Sequence, residues 1–234
     1  MRAMPTLPRR SFLSRFGLGL TAGGITLGSG VSSAQTPAPQ NAPRWQPARH
    51  AQDDWYDQIP GKHRLVFDST SPEGTGLAIN NFVNNFFTAN ETYGLKNEDL
   101  AVVLVMRHLA TPFAYNQAMW EKYGAAITTR TKFNDPTTNE PPKVNIYNRP
   151  GAANERGTRQ LDGIIARGVH LAVCQVSTRA YAGAIAMTTG QKQETVFDEL
   201  AANLVSSTNA RLVPAGILAV NRAQEHGYTF SFAY

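Results

Sequence analysis

The chain has 234 residues and a formal charge of +5, with 22 Lys and Arg against 17 Asp and Glu. Four of the five excess positive charges (Arg2, Arg9, Arg10 and Arg15) lie in the first 34 residues, which hold no acid, so the remainder carries only +1. No Lys/Arg-rich stripe or stacking motif follows, which excludes a nucleic-acid role, and a single cysteine, Cys174, excludes an intramolecular disulfide.

The first element is an export signal. Pro8-Arg9-Arg10-Ser11-Phe12-Leu13 precedes a weakly apolar run from Phe16 to Val31, and small residues with Ser32 and Ala34 in the cleavage positions follow. Paired arginines before such a run mark the twin-arginine route. The run is too short, and too rich in Gly, Ser and Thr, to stay as a membrane span. The signal is therefore read as 1–34, with the mature protein in a bacterial periplasm and no membrane span after its removal. Residues 35–60 are Gln-, Pro- and Ala-rich and read as a linker, with Trp45 and Trp55 as its possible points of packing.

From residue 61 to 234 short apolar runs alternate with helical patterns, the size of one domain with one core. His63 to Asp68 predicts a strand. Thr70-Ser71-Pro72-Glu73 then announces a helix, whose stripe is Ile79, Phe82, Val83, Phe86 and Phe87. Leu100 to Met106 is apolar throughout and predicts a strand buried on both faces. Ala114 to Tyr123 reads as helical. Residues 131–157 are polar, contain four prolines and have no sustained period, so they form an insertion: a flap, an oligomer contact or an ordinary surface loop.

A helix over Leu161 to Ala166 leads to a strand, Val169 to Cys174, then to helical patterns around Ala180 to Met187 and Val196 to Leu204. Arg211 to Val213 gives a fourth strand, Ile217 to Glu225 a helix, and Tyr228 to Phe232 a fifth strand. Strands separated by helices predict an α/β fold with a mostly parallel sheet of about five strands.

In such sheets ligands bind beyond the carboxyl ends of the strands. Those ends place Asp68, Arg107, His108, Cys174 and Gly216 along one edge. Cys174 ends a strand and begins a helix, whose unpaired N–H groups favour a thiolate; the competing reading is a small apolar residue packed in the strand. His108 is the candidate acid/base partner or a structurally satisfied ring, and Arg107 is a candidate cation for the sulfur. His170 lies within a strand and reads as packing or capping; His50, His63 and His226 show no ligand spacing with one another or with Cys174, and no nucleotide or hydrolase motif is present, so neither metal nor cofactor is expected.

The set formed by His63 to Asp68, Val105-Met106-Arg107-His108, Gly168 to Cys174, Val213 to Ile217 and Gln224 to Tyr228 resembles the DsrE/DsrF-like superfamily, in particular its exported branch with a twin-arginine signal. The resemblance covers about residues 60–234 apart from the insertion. It implies a flavodoxin-like three-layer α/β/α fold and a tendency to form homo- or hetero-oligomers. In sulfur-relay members a cysteine at a strand end carries a persulfide, and Cys174 matches it by position. Those members are smaller and cytoplasmic. Two functions follow as expectations: a periplasmic sulfur carrier or transferase working through Cys174, Arg107 and His108 with an unidentified sulfur donor or acceptor, or a non-catalytic module for small-ligand binding or assembly.

Overall fold

The computed structural model describes residues 46–149 and 160–234. The signal reading therefore lies outside the described residues, as do residues 150–157 of the insertion. In chain order the elements are α1 (Trp55–Gln58), β1 (His63–Ser69), α2 (Pro72–Leu77), a π-helical stretch (Ala78–Val83), α3 (Asn84–Glu91), β2 (Leu100–Met106), a 3-10 stretch (His108–Ala114) and α4 (Gln117–Thr131). They continue with α5 (Leu161–Ala166), β3 (Val169–Cys174), α6 (Gln175–Thr189), α7 (Gln193–Ala202), β4 (Ala210–Val213), α8 (Gly216–Glu225) and β5 (Thr229–Ala233).

Local chemistry sets most boundaries. The Ser71 hydroxyl accepts a hydrogen bond from the Gly74 N–H at 2.9 Å, with Pro72 in the first turn of α2. Gly190 closes α6 in the left-handed region at φ 72°. The helix expected from Ala114 starts later and runs longer. Residues 108–114 instead form a tight turn with Pro112 inside it, and Asn116 caps α4 by accepting from the Met119 N–H at 3.2 Å.

The five strands form one all-parallel sheet in the order β4-β3-β2-β1-β5. Helices cover both sides, giving a flavodoxin-like α/β/α sandwich. The chain steps outward from β1 to β4 before crossing back to the far side of β1, whereas flavodoxin itself has the order 2-1-3-4-5.

Apolar residues on both faces of β2 explain its central place. Val102, Leu104 and Met106 join Leu171, Val173 and Phe67 in a large cluster with Ile79, Phe87, Trp120, Tyr181 and Leu200. Ala101, Val103 and Val105 point the other way, into a smaller cluster with Val66, Ala172 and Val213. Ala219, Val220 and Ala223 of α8 cover that second face, together with Trp55, Tyr56 and Ile59.

This last contact bears out Trp55 as a packing point of residues 35–60, whose final part is helical and packed on the sheet; Trp45 lies outside the described residues. Trp55 and Tyr56 are 5% and 1% exposed. The Tyr56 hydroxyl donates to the Ala219 carbonyl at 3.0 Å, and the Tyr228 hydroxyl donates to the Tyr56 carbonyl at 2.8 Å. A single helix leaves apolar strand surface uncovered on this face, and the aromatic strap fills it.

The described part of the insertion is also anchored. Asn145 is fully buried and donates from Nδ2 to the carbonyls of Phe113 and Tyr115, at 2.8 and 3.0 Å. Phe133 packs into the large cluster, and Asp135 pairs with Arg149.

Candidate functional site

Alternation along the strands brings three predicted residues to one face. Asp68, Arg107 and Cys174 share parity with Val66, Val105 and Ala172, so they lie on the α8 side at the carboxyl ends of β1, β2 and β3. Because Met106 pairs with Val173, Arg107 sits beside Cys174 one step further on.

Asp68 is 3% exposed and takes Arg107 in a fork: Nε and Nη2 each donate to one carboxylate oxygen at 2.8 Å. Two parallel bonds fix the guanidinium plane as well as its charge. The hydrogen bonds of Asp68 hold Arg107 above its ordinary pKa against the opposing effect of burial, and the charge of Asp68 adds to this.

Gly216 completes the enclosure. A Cβ there would lie 2.5 Å from the Cβ of Arg107, so only glycine lets the start of α8 sit this close.

Cys174 is the N-cap of α6. Its Sγ accepts from the Ser177 N–H at 3.4 Å, and its residual exposure is 6%. Its carbonyl accepts from the Thr178 hydroxyl at 3.0 Å, and Thr178 accepts from the Tyr115 hydroxyl at 3.1 Å. Tyr115 is wholly buried, and burial pushes its phenol far above the ordinary value, so it stays a neutral donor.

His108 is placed differently from the acid/base role expected for it. It is exposed, its φ is +54°, and its ring makes no hydrogen bond or ion pair with any described residue. Its backbone N–H donates to Ser177 Oγ at 2.9 Å. A non-glycine residue in the left-handed region stores strain, and this bond is one of the contacts that hold it.

Ser177 is thus the residue that sequence reasoning missed. It joins His108 to Cys174 by using its backbone for the sulfur and its hydroxyl for the neighbouring loop. The available signal was a hydroxyl residue three positions after the strand end, where a first-turn N–H is free.

Elsewhere, His226 Nδ1 lies 2.9 Å from Asp57 and 2.6 Å from Arg49, tying the strap to the end of α8. Among the described residues no group of three or more His, Cys, Asp or Glu could hold a metal. Among them, no helix is long and apolar enough to cross a membrane.

No family model matches the chain, and no curated protein matches it. One similar solved structure is that of a protein of unknown function from Methanobacterium thermoautotrophicum. It is 12% identical, with a TM-score of 0.36, over 73% of this chain and 99% of that one.

Proposed function

We propose that the chain is an exported member of the DsrE/DsrF-like superfamily that handles sulfur as a persulfide on Cys174. The observation that carries this reading is the capping of α6 by Cys174 Sγ, beside Arg107. An anionic outer sulfur there sits by the first-turn N–H groups of a 15-residue helix and in the field of Arg107, whose guanidinium is locked onto Asp68.

The transfer step balances without an external oxidant or reductant. The Cys174 thiolate attacks the outer sulfur of a persulfide donor, the donor's S–S bond breaks, and the donor leaves as a thiolate while Cys174 becomes the persulfide. The Ser177 N–H receives the charge, in the field of Arg107. His108 supplies backbone placement through Ser177 rather than a proton.

Intact mass after incubation with glutathione persulfide tests this. The expected result is a gain of one sulfur that reductant removes and that Cys174→Ser abolishes. No gain, or a gain that survives Cys174→Ser, ends the reading.

The second reading, a binding or assembly module without sulfur chemistry, is favoured by one observation: Cys174 is only 6% exposed. Labelling of Cys174 only after denaturation would support it.

A further inference from the structure

The two edges of the sheet are built differently. At one end β4 is four residues long, carries Arg211 and has no exposed residue. At the other end β5 runs in unbroken register with β1 from Thr229 to Ala233, and its sequence Thr-Phe-Ser-Phe-Ala has no charge and no proline. Charge, proline, a bulge or a cover is what keeps an edge from pairing with another chain. Among the described residues no strand pairs with the outer side of β5, so alternate N–H and C=O groups face away from the sheet there.

The side chains reinforce this contrast. Phe230, Phe232 and Tyr234 are 48%, 41% and 79% exposed, and Phe232 stacks on Tyr234 with ring centroids 5.9 Å apart. They are three of the eight large apolar side chains exposed among the described residues, gathered on one strand end instead of scattered singly. Phe230 and Phe232 are opposite Val66 and Asp68 in the ladder, which puts them together on the α8 face.

The register says what fits this edge. A second β5, antiparallel about a twofold axis at Ser231, brings Phe230 of each copy opposite Phe232 of the other on the same face, and Thr229 opposite Ala233. Two aromatic pairs form, and no like charges meet. A charged segment would find no counter-charge on β5. Taking about 200 Å² for a whole aromatic side chain, the three exposed rings offer about 300 Å² per copy. The contact therefore belongs to the small class, below about 1,200 Å² in total, and forms reversibly.

We propose that β5 joins a second copy of this chain, edge to edge, so that the two sheets become one. β1 and β2 separate β5 from the strand of Cys174, and the interface is independent of the sulfur reading.

Sedimentation velocity of the purified protein over a concentration series tests this. The expected result is a monomer–dimer equilibrium in the micromolar range. Phe230→Glu and Phe232→Lys each break both ring pairs across the axis and should weaken association by about tenfold. Mixing the two variants sets the new carboxylate opposite the new ammonium and restores one ring pair. The mixture should associate more tightly than either variant alone, a recovery that misfolded chains could not give. Cys174→Ser should associate like wild type. A monomer at every concentration overturns the proposal, whether the edge stays open or another segment of the same chain covers it. Undiminished association in either single variant, no recovery on mixing, or a dimer lost with Cys174 overturns it equally.

Discussion

Replacing Asp68 with Asn keeps the shape of the side chain and removes the charge that locks Arg107. Both bonds of the fork are 2.8 Å long, and the Asp68 side chain is 4% exposed, so water cannot take the place of the carboxylate. Losing one member of a fully buried pair costs about 3–5 kcal/mol. Arg107 is 26% exposed, however, and can recover part of its hydration. The expected loss is therefore smaller, about 2–3 kcal/mol, equivalent to roughly 4–12 °C in melting temperature for a domain of this size. Urea unfolding of wild type and Asp68→Asn measures it, and the midpoint should fall with the slope unchanged. The double variant Asp68→Leu/Arg107→Met should recover much of the loss, because it removes both charges together. A change below about 0.5 kcal/mol in the single variant would show that the fork contributes no more than a surface ion pair.

Three further outcomes follow from the same geometry. Gly216→Val forces side-chain atoms into Arg107, where a Cβ already meets its neighbour at 2.5 Å; overpacking should cost about 1–3 kcal/mol in denaturant unfolding. Trp55→Ala opens the strap over the second face, where Trp55 stacks on Tyr56 at 3.8 Å. It should cost about 3 kcal/mol and expose the segment before β1 to proteolysis in the native state. Burial alone would raise the pKa of Asp57, but the hydrogen bond and charge of His226, with Arg49 and Arg64, outweigh it and hold the carboxyl below its ordinary range. A depressed pKa contributes stability that is present above the unfolded carboxylate value, about 3.9, and is lost as pH falls through the folded one. Asp57→Asn should flatten that acid limb of melting temperature against pH, and an unchanged limb would remove the group from the account.

The sheet was legible because its signals are local. Leu100 to Met106 has no polar face, and Val169 to Cys174 nearly none, so both could only be central strands. The strap was legible only at Trp55, since Tyr56 sits in a short stretch without periodicity and its partner, α8, comes about 160 residues later. In the candidate site, the carboxyl ends of the strands put Asp68, Arg107 and Cys174 on one edge. It could not tell that Arg107 bonds to Asp68, that the His108 ring faces solvent, or that Ser177 links the two loops. Those depend on side-chain rotamers and on one backbone torsion at His108, which no spacing in a sequence encodes.

The sulfur reading needs Cys174 to react without unfolding. Its native alkylation by iodoacetamide, followed by intact mass in wild type and Arg107→Gln, is the most direct measurement. The account predicts labelling of the folded wild-type protein and slower labelling of the variant; labelling that begins only in denaturant, or that proceeds at the same rate without Arg107, would contradict it.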